Sequence, residues 1–599
     1  MNGTYWSGVL SRRLTRRRSL SASGGLAVSA AILAACGSDK EKGDTDKSSL
    51  LSPRVDTSAK AVAGGIWPNV GADASSGTSL DPYRNAPAGG FTTLAPVYST
   101  LVKFGLGSDG RPPPPANSIT GDAAQSWEVS PDGLQVTYKL RANHKFDARP
   151  PTNGRAMTAE DVKFSWDRFV GRSIRAGDIL HAKNAAGPIE SLSTPDAQTV
   201  VLKLAFPYAS INEIMAYWYL YVMPTEAEGK FDPLNEARGT GPFIMTRYDL
   251  GSRIEYRRNP DWYVKNRPFL EGMDKINVPE YASALAQFES KAIWMFTGFS
   301  GVKPDDILRV KHDHPEMDLF QPPLSGESLG FYWTFSQREK SPFRDVRLRR
   351  AASMAIDRDL FIDTFFNVPE FRSAGLPVET YWYSHLFPEC ANYTDPRGKD
   401  LGEGAKYFKH DVAEAKKLVA AAGLTDTVDF LSRATPSVPF RDYPPVTKNM
   451  LEEAGFKLNH KPLDAGSTWR QWKESGGQAY DGIFFNICHG FNDDTLLVDK
   501  YTPLGTDTIS KDPIPGITDQ VMKIRTEIDL NKKNSMIKQL EKVLAEQMLD
   551  IMIDDQPRLF ELKWPWIKNV GVSACSGFML ETSSARPYLD YWYDASLKT

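Results

Sequence analysis

Cysteine is scarce in this chain, with four among 599 residues, so no disulfide framework holds the fold and packed cores must do so. Charge of one sign is lacking too. The 71 basic residues face 74 acidic ones, a net charge of −3, which excludes a nucleic-acid binder that works by bulk attraction. Beyond the N-terminus no run approaches about 18 consecutive apolar residues, so no membrane-spanning helix is expected. Histidine is rare, and neither His489 nor His312-Asp313-His314 comes with the further ligands that a metal site needs. Internal repeats and low-complexity stretches are missing from the body.

What is there begins with length. At 599 residues the chain exceeds the roughly 250 to 300 that one hydrophobic core organises, so two lobes or more are expected. Aromatic residues make up 11%, enough to fill cores and to line a cleft. Residues 1–35 form an export signal: Arg12, Arg13, Arg16, Arg17 and Arg18 make a basic start, and Leu20 to Ala35 is mildly apolar and rich in small residues. The closing Leu33-Ala34-Ala35-Cys36 resembles a bacterial lipobox, in which cleavage leaves Cys36 as the lipid-bearing first residue. Thr15-Arg16-Arg17-Arg18-Ser19-Leu20 resembles a twin-arginine export motif. Residues 36–61 hold few large apolar side chains and are expected to stay an unstructured, lipid-anchored tether. Of Cys390, Cys488 and Cys575, at most one pair joins, and spacing does not choose it.

The body alternates short apolar strands with capped helices, the pattern of an α/β fold. Val136-Thr137-Tyr138-Lys139-Leu140 alternates as a half-buried strand after a Ser130-Pro131-Asp132-Gly133 turn. Thr158, followed by Glu160 and Asp161, opens a helix that puts Val162, Trp166 and Phe169 on one face. Asp411 with Glu414 opens another, with Ala415, Leu418, Val419 and Ala422 inward and Gly423 as its stop. Val521, Ile524 and Ile528 form one apolar stripe and Ile537, Leu540 and Leu544 a second, both for core packing.

Several segments match one family in order along nearly the whole mature chain. They are Leu80-Asp81-Pro82, Val97 to Val102, Ala124 to Gly133, Leu140-Arg141, Met157 to Val162, Gly239-Thr240-Gly241-Pro242-Phe243, Arg258-Asn259-Pro260, and Phe343 to Ala351 followed by Ala355-Ile356-Asp357-Arg358. Each alone marks only a turn or a cap; their number and order carry the match. On these segments the chain resembles the extracellular solute-binding proteins of the oligopeptide, dipeptide and nickel class, family 5, which serve ABC importers. The resemblance implies a periplasmic-binding-protein type II fold, with two lobes joined by connecting strands and an additional small domain. Lobe I is expected over 62–101, 206–334 and 550–599, the extra domain over 102–205, and lobe II over 335–549. The resemblance also implies capture of a small molecule, a peptide, sugar or chelate, by hinge closure, and its delivery to an ABC permease with its ATPase subunits. The protein is then an extracytoplasmic monomer, periplasmic or at the cell surface, held to the membrane by its lipid alone. Gly239 and Gly241 are expected to supply backbone angles closed to other residues, and Asp345 with Arg347 a structural ion pair.

Tyr480 to Asp494 is expected as a strand that leaves the second lobe's sheet and turns into the cleft. In peptide-binding relatives an Asp shortly after this strand holds the ligand's α-ammonium; the aligned position here is Gly490, which speaks against a peptide held that way. Asp493 or Asp494 either replaces it from a shifted loop or is a solvated loop acid. Trp469 matches a cleft Trp, with ligand stacking and core packing both open. Tyr332 and Trp333 fall where the first connecting strand passes, and Arg84 and Asn85 approach from the first lobe. Asn486, Cys488, His489 and Phe491 complete the expected ligand-binding set.

Gly326-Glu327-Ser328-Leu329-Gly330 also fits the nucleophile elbow of a serine hydrolase, which needs a strand before the serine and a helix after it. Gln321-Pro322-Pro323 precedes it, and the aromatic run Phe331 to Phe335 that follows suits a strand, so no catalytic residue is expected, and no metal or cofactor. A surface chaperone or adhesin on the same scaffold would share the fold and differ in its partners.

Overall fold

Alternation builds the extra domain first. Val136, Tyr138 and Leu140 lie buried on one face of strand Gln135–Leu140, as a period of two demands. With Ala124–Val129, Thr199–Leu204 and Ile189–Asp196 it makes an antiparallel sheet of four. Helix Ala159–Arg172 packs on this sheet and buries Val162, Trp166 and Phe169; its N-terminus is closed by the Asp161 carboxylate, which accepts the Thr158 N–H at 2.9 Å. The computed structural model describes residues 46–70, 79–84, 93–105, 119–173, 175–296, 301–321, 328–388, 390–435, 438–464, 468–490, 492–553, 560–572 and 586–598. The export signal with Cys36, and Asn85, Phe491 and Cys575, lie outside them.

Two larger sheets form the lobes. The first has seven strands in the order Asp318–Phe320, Glu561–Lys563, Met295–Phe296, Ile66–Val70, Gly272–Ile276, Arg253–Arg258 and Phe243–Asp249. Ile66–Val70 runs parallel to both its neighbours. The second has five, in the order Lys457–Asp464, Thr427–Ala434, Ile483–Gly490, Ser328–Phe335 and Asp550–Met552, the first three parallel and the last two joined antiparallel. Ser328–Phe335 and Asp550–Met552 were expected on the first-lobe side of the boundaries at 334/335 and 549/550. Both pair within the second sheet, because Phe331, Trp333 and Phe335 are needed in that lobe's core, where Trp333 stacks on Phe430 with ring centroids 4.2 Å apart.

The helix signals hold in detail. Asp411 accepts the Glu414 N–H at 2.9 Å, helix Val412–Ala422 follows, and Gly423 ends it at φ +71°. Asp345 caps helix Val346–Ala355 and pairs with Arg347 at 2.6 Å. Val521 and Ile524 are buried on helix Thr518–Thr526, but Ile528 lies past its end and is 61% exposed, because the chain turns there into the Asp529 cap of helix Leu530–Gln547. Ile537, Leu540 and Leu544 on that helix are buried as expected.

Two expectations change. Gly239 and Gly241 serve close approach rather than backbone angle: neither has a left-handed φ, and a Cβ on Gly239 would stand 1.9 Å from the Val97 carbonyl oxygen. The expected tether is laid along the body from residue 46 onward. The Lys47 N–H donates to Gly375 O at 2.9 Å, Ser52 N–H to Leu319 O at 2.7 Å, and Thr57 N–H to the Asn569 side chain at 2.9 Å. Leu50 and Leu51 pack on the first core, so two apolar side chains and these hydrogen bonds order a stretch whose composition alone would not.

The lobes meet on two sides. On one, Phe366, Phe371 and Leu376 of the second-lobe stretch join the first lobe's core, and the rings of Phe371 and Phe560 stand 5.0 Å apart. The other side is the polar seam considered next. Among the described residues no helix is long and apolar enough to cross a membrane.

Candidate functional site

Strands Thr427–Ala434, Lys457–Asp464 and Ile483–Gly490 are parallel, so their carboxyl ends share one edge of the second sheet, the edge at which open α/β sheets receive ligands. Beyond Ile483–Gly490 the Asn492 side chain accepts the Thr495 N–H at 3.0 Å and so caps helix Asp493–Tyr501. From this point the second lobe touches the other side of the molecule through a row of polar contacts. The Asn492 amide donates to the Glu213 carboxylate, and Tyr208 O–H to Asp494 at 3.3 Å. Arg525 donates to the Tyr208 hydroxyl at 2.6 Å and to Ala186 O at 3.3 Å. Thr506 O–H reaches Asp178 at 2.6 Å, and the Asn184 amide reaches Leu504 O at 2.9 Å. Groups more than 270 residues apart in sequence are thus brought together, buried at Glu213, Tyr208, Asp494 and Arg525 and exposed where Asn184 meets Leu504.

The electrostatics of the seam follow from that burial. Burial raises the Glu213 carboxyl to about 7, and Asp494 adds to the rise while Asn492 and Lys533 oppose it. Burial pushes Asp494 up as well, but Lys533 at 2.9 Å and Arg525 at 3.5 Å outweigh it and hold the carboxyl below its ordinary range. Asp493 is buried too; its carboxylate takes the backbone and side-chain N–H groups of Asn392, and burial raises it. Neither acid is a solvated loop residue, because the chain from Asp493 onward is helix rather than loop.

The remaining expected residues fall in three places. Tyr332, Trp333, Asn486 and Cys488 sit side by side on paired strands Ser328–Phe335 and Ile483–Gly490. All four are fully buried: Tyr332 donates to Asp507 O at 3.0 Å and accepts from the Asn486 amide at 2.8 Å, and the Cys488 thiol, pushed up by burial, points at Gly330 O. Among the described residues Cys390 and Cys488 are not joined to each other. Trp469 is 5% exposed on helix Thr468–Glu474, donates its indole N–H to Phe485 O at 3.0 Å and stacks on Phe484. Arg84 is exposed; His489 occupies a strand position opposite Leu329. Asn85 and Phe491 lie outside the described residues. Ser328 opens a strand, not the helix a nucleophile elbow requires.

One residue of this edge was not expected. Arg433, at the carboxyl end of Thr427–Ala434, lies with its guanidinium 4.9 Å from the Phe440 ring centroid and 5.1 Å from that of Trp469. Among the described residues its buried Nε has no hydrogen-bond partner and no acid pairs with it, and burial lowers its pKa. The sequence signal was an arginine one residue before the end of the strand, after the apolar pair Phe430-Leu431.

Residues 118–502 match bacterial extracellular solute-binding proteins, family 5. The chain belongs to this family. It is a substrate-binding protein of an ABC transporter and works outside the cytoplasm. Di/tripeptide-binding protein 1 of Pseudomonas aeruginosa is 25% identical over 507 residues, covering 78% of this chain and 85% of that protein. Among solved structures, the periplasmic binding protein DppA from Helicobacter pylori, in complex with the peptide STSA, superposes with a TM-score of 0.69 at 16% identity, over 89% of this chain and 99% of that one. The binding protein AgaA from A. tumefaciens R10, in complex with agropinic acid, gives 0.67 at 22% identity, over 88% and 98%. The likenesses establish the two-lobed type II binding-protein fold for this solute-binding protein.

Proposed function

We propose that this binding protein captures an acid-bearing small solute between its lobes, closes on it, and presents the closed form to an ABC permease and its ATPase subunits. The observation that carries the reading is the polar seam: six hydrogen bonds join the second lobe to residues 178–213, and all of them must part for the cleft to open. Arg433, half-buried beside Phe440 and Trp469 and without a paired acid among the described residues, receives the solute's anionic group; this rests on the need of its buried Nε for a partner. Relatives carry a peptide and agropinic acid, so the scaffold accommodates both peptide and non-peptide acids. Gly490 offers no carboxylate for an α-ammonium, and the solute is therefore not a conventional peptide gripped there. Arg84, which is exposed, and Trp469, against which Arg433 lies, belong to the same proposed lining. The protein acts as a monomer, without chemistry on the solute, and is held to its membrane through Cys36.

Native mass spectrometry of freshly purified protein tests the reading. A co-purified small acid is expected, and Arg433→Ala should weaken its rebinding about 10- to 100-fold, the range for losing a hydrogen bond to a charged group. Cys36→Ser should move the protein from the membrane to the soluble exported fraction, because a single lipid modification supplies the whole anchor.

A further inference from the structure

Glu213, on the first lobe's short helix Ile211–Met215, is an acid that the second lobe covers. Asn492, the cap of helix Asp493–Tyr501, donates its side-chain amide to the Glu213 carboxylate across the seam, and the Ser210 hydroxyl donates from the near side. Both donors are neutral, so they ease the charge without cancelling it.

The charged groups that face Glu213 all come from the second lobe. Asp494, in the first turn of helix Asp493–Tyr501, repels it, and Lys533 of helix Leu530–Gln547 attracts it. The Lys533 ammonium is bonded to Asp494 at 2.9 Å, and Arg525 of helix Thr518–Thr526 stands 3.5 Å from Asp494 and donates to the Tyr208 hydroxyl at 2.6 Å. Both cations therefore serve Asp494, and among the described residues none pairs with Glu213. When the seam parts, Asn492 and Asp494 withdraw with their lobe and water reaches the Glu213 carboxylate. An acid that is hydrated in the open form and buried without a cation in the closed form binds a proton more tightly as the lobes meet.

Other buried titrating groups keep their surroundings in this movement. Asp494 carries Lys533 and Arg525 with it. Glu541 faces Thr394 and Ser384, and Asp493 faces Asn392, all in the second lobe. His144 faces Ser99, Trp262 and Tyr263 on the other side of the seam. Asp499 is half-buried and accepts the Thr506 and Asp507 N–H groups of its own lobe; Arg175 and Asp178 approach it already paired at 3.3 Å, with charges that cancel.

We propose that closure of the seam takes up a proton at Glu213, so that the receptor holds its solute more tightly as the pH outside the cytoplasm falls. The inference rests on the receptor reading above and adds its regulation. The test is calorimetric titration of the full exported chain, stripped by partial unfolding and dialysis, with the small-molecule fraction it releases, at pH 7.5 and 5.5.

Glu213→Gln keeps an acceptor for Asn492 and removes the charge. At pH 7.5 it should bind at least about tenfold more tightly than the wild type, and at pH 5.5 this gap should shrink about fivefold or more, as a carboxyl that moves between 4.5 and about 7 requires. The solute's own ionisation acts on both proteins alike and cancels in the ratio. In the wild type at pH 6, titration in two buffers of different ionisation enthalpy should show about half a proton or more taken up per solute bound. A carboxylate solute is ionised at that pH both free and bound and adds nothing to the count. Parallel pH profiles overturn the proposal, as does a variant that binds more weakly at both pH values, the mark of a merely structural contact. If Glu213→Gln does not fold, the proton count decides, and no uptake overturns the proposal. A protein that releases no solute and binds none contradicts the receptor reading instead.

Discussion

Glu213 shows what closure does to a single carboxylate. It is 6% exposed and its carboxyl is raised to about 7 from 4.5, by burial first. A raised acid binds, in the folded state, a proton that the unfolded chain releases. Its penalty is absent below 4.5 and grows as pH rises toward 7. Glu541, raised to about 7 in the same way beside Thr394 and Ser384, adds a similar slope. Asp122 and Asp550 are held below the ordinary carboxylate value, so their contributions fade only at lower pH, outside this window. The buried His144, lowered to about 4, titrates in the same window with the opposite sign, so the effect is read as a difference between variants. On lowering the pH from 7 to 4.5 the wild type should gain about 1 to 3 kcal/mol of urea-unfolding stability relative to Glu213→Gln, and identical slopes would mean that Glu213 is not buried in solution. No sequence pattern marks Glu213, because its partners Asn492 and Asp494 lie in another lobe. Asp499 is hidden for the same reason, whereas Gly490 and Trp469 stood out in the sequence only through the family resemblance.

Strands, caps and turns follow from neighbouring residues, and at this scale the sequence was most legible. Thr158, Asp411 and Gly423 act where their chemistry placed them, since a cap or stop depends on a few adjacent backbone groups. Where distant chain intervened, local reasoning missed: residues 46–61 dock on Leu319, Gly375 and Asn569, and the two connecting strands belong to the second sheet rather than the first. Gly239 was legible as required but not for its actual reason, which is the Val97 backbone. Gly239→Ala should therefore cost about 1 to 3 kcal/mol of unfolding free energy, the range for overpacking against atoms that cannot yield. Gly171, near the end of helix Ala159–Arg172, has nothing within 4 Å of a would-be Cβ, so Gly171→Ala should be neutral or stabilise by up to about 1 kcal/mol. Equal destabilisation by both would mean that helix and strand geometry, not close approach, decides.

For the whole molecule, the division of the interface between the lobes sets how it moves. Phe371 against Phe560 keeps the hinge side apolar and continuous, while the seam from Ala186 to Arg525 is polar and can be rehydrated when it parts. The two-lobed architecture was visible in the sequence through ordered motifs; the closed seam was not, because it is made of single residues from three parts of the chain. The most direct measurement is small-angle X-ray scattering on the exported protein before and after its bound solute is stripped by partial unfolding and dialysis. A closing receptor gives a radius of gyration that increases on stripping and returns when the released small-molecule fraction is added back. An unchanged radius with the seam equally compact in both states would contradict capture by closure.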